Sequence, residues 1–243
     1  MNLSVVIPAY NERVRIEDTL RSVQTYLSES GRSYEILVVN DGSTDGTLDV
    51  LRRLDSEISG LKVLSYEQNM GKGYAVRQGM LAASGELALL SDADLASPIE
   101  ELPRLDAALS KGADVAVGSR AVTGSVREVH QSFIRETGGR ALNLIIQALA
   151  VPGIMDTQCG FKLFRRECAQ AVFPQCFLNG FGFDVEVLYL ARRLGFKLIE
   201  TPIRWAHKEG SKVSPVIDGL RIIADLFRIR LHKYDLRGFR NAD

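Results

Sequence analysis

Short apolar runs alternate with helical stripes through the first half of the chain. Residues 3–8 (LSVVIP) read as a buried strand that Pro8 closes. Ile16, Leu20, Val23 and Leu27 then recur at helical spacing. Residues 35–40 (EILVVN) form a second apolar run. The turn cluster of residues 41–46 (DGSTDG) follows it and leads into a helix with Leu51, Leu54 and Ile58 inward. Residues 61–65 predict a third strand, and Gly71-Lys72-Gly73 opens a helix carrying Val76, Met80 and Ala83. Leu87, Ala88, Leu89 and Leu90 predict a central strand that ends in Ser91-Asp92-Ala93-Asp94. A helix with Leu102, Leu105 and Leu109 comes next, then a fifth strand at 114–118. Apolar strands alternating with amphipathic helices predict an α/β fold whose mainly parallel sheet carries helices on both faces.

After Arg120 the rhythm breaks. Residues 121–136 are polar and aperiodic and read as a long loop. Residues 141–151 (ALNLIIQALAV) are apolar almost all round, so they are buried or lie on an apolar surface. A turn and strand are expected over 156–165, a helix over 183–194, and one alternating strand over 198–206 through Ile199, Thr201, Ile203 and Trp205. The last helix, with an apolar stripe of Val216, Leu220, Ile223 and Phe227, runs into a basic tail over 228–240. No repeat or linker interrupts the chain, so residues 1–243 read as one domain. Its parts are a ligand-binding half (1–120), a second half (121–213) and a C-terminal helix with its tail (214–243).

Charge excludes some classes of partner. Lys+Arg and Asp+Glu both total 30 in 243 residues, so no net field favours nucleic acid. Cys159, Cys168 and Cys176 form no CxxC pair and have no ligand-like His spacing; they read as buried thiols. No apolar run is long enough for a membrane span, and Pro8 interrupts any signal-peptide core. The expectation is a cytoplasmic protein, at most attached to a membrane surface.

Polar clusters fall just past strand ends: Pro8-Ala9-Tyr10-Asn11-Glu12, Asp41-Gly42-Ser43, Asp92-Ala93-Asp94 and Ser119-Arg120. Parallel strands deliver their carboxyl ends to one rim, where ligands of open α/β sheets bind. Asp92 and Asp94 suit a hard divalent cation shared with a ligand's phosphates; a solvated turn is the alternative. Neither a Walker loop nor a Gly-x-Gly-x-x-Gly turn is present, which argues against an ATPase or a dehydrogenase. Lys72 and Arg120 would add positive charge near a diphosphate.

Residues 5–12 (VVIPAYNE), 38–47 (VVNDGSTDGT), 69–80 (NMGKGYAVRQGM) and 92–95 (DADL) resemble the signatures of family 2 glycosyltransferases with the GT-A fold. The second half resembles dolichyl- or polyprenyl-phosphate β-glucosyltransferases. The resemblance lies in 118–120 (GSR), 156–164 (DTQCGFKLF), 180–188 (GFGFDVEVL) and 210–213 (GSKV). It implies that Pro8, Ala9, Tyr10 and Glu12 line the nucleotide and that Asp41 reads the base edge. It also implies that Asp92 faces the ribose and metal, and that Asp94 is the principal ligand of Mg²⁺ or Mn²⁺. Asn40 stands where many relatives carry Asp. Ala96 stands where mannosyl relatives carry Gln, which argues against a GDP-mannose donor.

The implied reaction is inverting transfer of glucose from UDP-glucose to a polyprenyl phosphate at a membrane surface. A phosphate monoester, with a second pKa of roughly 6, needs cations to hold it rather than a base. Arg120, Arg135, Ser211 and Lys212 are the candidates for that cradle, with His207 where some relatives carry Arg. Asp156 would orient the acceptor or sugar, or serve as base for a hydroxyl. Asp184 and Glu186 either bind sugar or favour a helix N-terminus, and Gln158 and Lys162 are their neighbours. His130 and His232 read as surface residues, Trp205 as core, and the basic tail as a membrane or homo-oligomer contact. The alternatives are a GT-A enzyme with another nucleotide sugar or a soluble acceptor, and a non-catalytic nucleotide-sugar-binding protein.

Overall fold

The computed structural model describes residues 1–127, 133–206 and 215–236, and at 127, 133–138, 140 and 215–217 the backbone alone. A seven-stranded sheet runs in the order β3 (Leu61–Tyr66), β2 (Tyr34–Asp41), β1 (Leu3–Ala9), β4 (Leu87–Ser91), β7 (Phe161–Arg165), β5 (Val115–Ser119), β8 (Leu198–Pro202). All neighbouring pairs are parallel except those made by β7, which runs antiparallel to both β4 and β5. The sheet is therefore mainly parallel, as the alternating pattern predicts.

Helices α1 (Ile16–Glu29), α2 (Thr47–Glu57) and α4 (Leu102–Ser110) bury their stripes in one core with Val5, Ile7, Val38 and Leu89. The other face packs α3 (Lys72–Ala82), α5 (Phe133–Leu149), α6 (Arg166–Val172), α7 (Phe183–Arg193) and α8 (Pro215–Leu231) in a second core with Val6, Leu37, Leu90 and Val117. Alternate residues of one strand thus serve opposite cores, which is why β1, β2 and β4 are buried on both faces and mostly apolar.

Several expectations need correction. The strand β1 runs through Pro8 to Ala9, because its pairing with β4 ends at Val6↔Leu90 and Pro8 keeps only β2 as a neighbour. The long loop after Arg120 contains β6 (Val126–Arg127), and α5 starts within its expected span. The single strand over 198–206 divides at Ile203: β8 stays on the main sheet, and β9 (Arg204–Trp205) pairs with β6 in a small second sheet. In α8 the inward stripe is Asp218, Ile222, Leu226 and Ile229. Leu220 is 65% exposed and Phe227 56%, so the apolar stripe read from the sequence faces outward there. Likewise α5 buries Ile146 but exposes Leu144 and Ile145, so its apolar circumference is not wholly covered.

Candidate functional site

The ends of β1 and β2 are locked together at the carboxyl rim. Asn11 adopts a left-handed backbone (φ 52), and its Oδ1 accepts a bond from Thr44 N at 2.8 Å while its own N–H donates to Ser43 Oγ at 2.9 Å. Glu12 N donates to Thr47 Oγ1 at 2.8 Å, and the Glu12 carboxylate pairs with Arg15 at 2.7 Å. Pro8 and Ala9 are buried just before this turn, and Tyr10 is half-buried within it.

Asp41, at the end of β2, is buried. Its carboxylate accepts bonds from Asn69 Nδ2 (2.9 Å), Met70 N (2.7 Å) and Gly71 N (3.0 Å). Burial raises the pKa of the neighbouring Tyr66 phenol, and Asp41 raises it further. The Asp41 carboxylate, expected at the base edge, braces the turn before α3.

The turn after β4 has its own constraint. Leu95 N donates to Asp92 O at 3.2 Å, and Leu95 takes a left-handed φ of 46, a conformation costly for a branched side chain. Ala96 N donates to Asp94 Oδ1 at 2.9 Å, and Thr19 Oγ1 ties Ala93 O to α1 at 2.6 Å. The two carboxylates are held differently. Asp92 is paired with Lys72 Nζ at 2.6 Å, whereas Asp94 has no ion-pair partner among the described residues.

Among the described residues no group of three His, Cys, Asp or Glu is disposed to hold a metal. Two half-exposed carboxylates in a constrained turn nonetheless fit a hard divalent cation that draws its other oxygens from phosphate and water.

The reversed strand β7 brings the second half of the chain to the same rim. Because β7 is antiparallel, its amino end lies where its parallel neighbours finish, and residues 156–160 are delivered beside the Asp92 turn. Gly160 lies so close that a Cβ there would stand 2.0 Å from Asp92 Oδ2. Asp156 is buried and accepts three bonds from Arg120: Nε at 2.7 Å, Nη2 at 2.8 Å and the backbone N–H at 2.9 Å. Burial works to raise the Asp156 pKa, but the Arg120 charge and its bonds outweigh that and hold it below the usual carboxylate range. The Arg120 guanidinium also lies over the buried Trp205 ring, 5.3 Å from its centroid.

Beneath these groups Lys162, only 1% exposed, donates to Cys159 O at 2.6 Å and to Asp184 Oδ1. Burial raises the Asp184 pKa; Lys162 and Lys72 pull the other way. Glu186, on the same first turn of α7, has a different task. It accepts bonds from Phe177 N (3.0 Å), Leu178 N (2.9 Å) and Tyr234 Oη (3.0 Å). That loop then meets α3, where Gly73 N donates to Asn179 O at 2.7 Å. Asp184 therefore belongs to the charged cluster, and Glu186 clamps a loop.

The structure thus gathers Asp92, Asp94, Lys72, Arg120 and Asp156 at one rim with the β1 and β2 turns. Lys162 and Asp184 carry more of that cluster than their sequence neighbourhood announced. The one available signal was a Lys inside an otherwise apolar strand, FKLF. Arg135 lies in α5, with only its backbone described; His207, Ser211 and Lys212 lie outside the described residues. Ala206 N donates to Ala96 O at 2.8 Å, so the chain enters that segment from the Asp94 turn.

Residues 4–173 match the model of the family described as Glycosyl transferase family 2. The chain is 35% identical over 240 residues to a dolichyl-phosphate beta-glucosyltransferase of Dictyostelium discoideum, covering 94% of this chain and 73% of that protein. It is 38% identical over 247 residues to the protein of that name from Saccharomyces cerevisiae, covering 94% and 74%. Among solved structures it resembles glucosyl-3-phosphoglycerate synthase from Mycobacterium tuberculosis in complex with UDP. The TM-score is 0.67 at 22% identity, over 94% of this chain and 79% of that one. The same synthase in complex with Mn²⁺, UDP and glucosyl-3-phosphoglycerate aligns with a TM-score of 0.65 at 20% identity, over 94% and 79%.

Proposed function

Because the chain belongs to glycosyl transferase family 2 and is a glycosyltransferase, we propose that it moves glucose from UDP-glucose to a polyprenyl phosphate. The observation that carries this reading is the convergence on one rim of the Asp92–Lys72 pair and the Arg120–Asp156 pair. One faces the place for a donor's diphosphate, and the other the place for a second anion. The curated relatives named above support the sugar and the lipid acceptor. The UDP and Mn²⁺ of the solved neighbours support the donor class and the metal.

Pro8, Ala9, Tyr10 and Glu12 would line the nucleotide, beside the turn that Asp41 braces. Asp94, with Asp92, would hold the divalent cation, Mg²⁺ or Mn²⁺. When bound there, such a cation supplies Lewis-acid stabilisation of the departing diphosphate. Lys72 adds a positive charge to the same anion. On the acceptor side, Asp156 holds the plane of the Arg120 guanidinium against Trp205. A carboxylate kept ionised by arginine is a weak base, so Asp156 acts as an orienting group. A phosphate monoester with a second pKa of roughly 6 is largely dianionic near neutrality and attacks without a base. Arg135, His207, Ser211 and Lys212 would complete its cradle.

A lipid-borne acceptor has to be met at a bilayer. No helix among the described residues is long and apolar enough to cross one. The exposed Leu220, Phe227 and Leu231 of α8, beside Arg221, Arg228 and Arg230, would instead lie in the interface, with Leu144 and Ile145 of the adjoining α5. Binding to anionic liposomes at low salt tests that attachment, and its absence would count against the lipid acceptor. The test of the reaction is a screen of UDP- and GDP-sugars with a short prenyl phosphate or free saccharides, read by product mass. A hexosyl prenyl phosphate from UDP-glucose alone is expected; product on a saccharide, or from GDP-mannose, would replace this reading.

A further inference from the structure

Lys72 stands where several carboxylates converge. Its ammonium is 2.6 Å from Asp92 Oδ1. Burial works to discharge it, but the charges of Asp92, Asp184 and Asp94 more than offset that and keep it protonated. Asp184 in turn faces two cations, Lys162, to which it is bonded, and Lys72. Lys72 therefore has one bonded partner, Asp92, and lies within electrostatic reach of a second acid, Asp184, whose neighbour Phe183 packs closely against Gly73.

The two partners differ in freedom. Asp92 is walled in by Gly160, where there is no room even for a methyl group beside its carboxylate. Lysine carries a point charge on a flexible four-carbon stem. When another cation reaches Asp92, the Lys72 stem can swing its charge away, whereas the Asp92 carboxylate is barred from moving towards Gly160. A divalent ion and an ammonium on the same carboxylate oxygen exclude one another by charge repulsion. The balance around them points the same way. Among the described residues, Asp92, Asp94, Asp156 and Asp184 face Lys72, Lys162 and Arg120, leaving a single negative charge in excess. A divalent ion overshoots that excess unless a diphosphate arrives with it.

We propose that Lys72 is a transferable counter-ion. It neutralises Asp92 while the donor site is empty and passes towards Asp184 and the donor's phosphates when a divalent cation takes Asp92. Asp184 is then a positioning residue that sets metal affinity through Lys72. The inference rests on the metal-dependent reading above.

Mn²⁺ binding, followed by the loss of the free-ion electron paramagnetic resonance signal, tests it on the wild type, K72M, D184N and the double variant, with and without UDP. Without UDP, K72M should bind Mn²⁺ about tenfold more tightly, because the competing charge has gone. D184N should bind Mn²⁺ about fivefold more weakly, and on the K72M background that loss should shrink below about twofold, since the two residues act as a coupled pair. A purely structural Asp184 would show the same loss on both backgrounds, which would overturn its role. If D184N fails to give a cooperative melt, the sign of the K72M change decides: unchanged or weaker Mn²⁺ binding overturns the proposal. Wild-type protein that binds Mn²⁺ beside an unresponsive K72M sinks this inference alone; wild-type protein that binds none, with or without UDP, sinks the metal reading as well.

Discussion

The two edges of the sheet both bury carboxylates, and they treat them in opposite ways. At the amino edge Glu35, fully buried, accepts bonds from Ser4 Oγ (2.5 Å), Ser84 N and Oγ (both 2.7 Å) and Lys62 Nζ (2.7 Å). Burial works against its charge, yet Lys62 and the serine donors bring its pKa down to about 2. Oε1 is held by three neutral donors and Oε2 by Lys62, so both oxygens are occupied. At the carboxyl rim Asp92, Asp156 and Asp184 are each paired with a cation. Nearby, Ser91 Oγ, Thr157 Oγ1 and Gln158 Nε2 are buried without a hydrogen-bond partner among the described residues. An acid held mainly by neutral donors holds a fold. An acid balanced by a movable cation, beside unspent polar atoms, is prepared for another charged species.

The contrast breaks most visibly at Asp94, which has no ion-pair partner among the described residues. Asp94→Ala should cut kcat/KM roughly a thousandfold while the melting temperature stays within a few degrees, read by product mass and calorimetry. Unchanged turnover would show the metal assignment to be wrong. Lys162→Met strands the Asp184 carboxylate in the interior, and urea denaturation should show a loss of about 3–5 kcal/mol. Adding Asp184→Leu should restore most of it, because an apolar pair does without both charges.

The amino edge gives a stability effect with no kinetic one. Glu35 has a folded pKa lowered to about 2, so its stabilisation is complete above the unfolded pKa of about 4.3 and is lost as pH falls towards 2, about 3 kcal/mol in all. Glu35→Gln should flatten the stability curve across that window and leave KM for the donor unchanged. Smallest is Tyr234→Phe, which removes one bond to the buried Glu186 and should cost about 1 kcal/mol.

Much of the donor half was legible because its signals are local. The runs that became β1, β2 and β4 are buried on both faces, so an apolar stretch and a strand coincide there. Tyr10, Asp41 and Asp92 sit one step beyond those runs, and parallel strands place such positions on one rim. The second half yielded less. In α8 Leu220 and Phe227 are apolar yet face outward, and hydropathy alone does not say which apolar side is covered. Strand 198–206 looked continuous because its alternation persists through Ile203, where the pairing partner changes.

The order of apolar runs, helical stripes and turn clusters by itself determined an α/β sheet with acidic residues at its carboxyl rim. Each of those features needs only neighbours a few residues away. Only the tertiary structure decided that β7 runs backwards. That reversal carries Asp156 and Gly160 to the Asp92 turn and Lys162 beneath it to meet Asp184. Strand direction within a sheet and pairing between distant charges are set by how whole layers pack, and no local pattern records them.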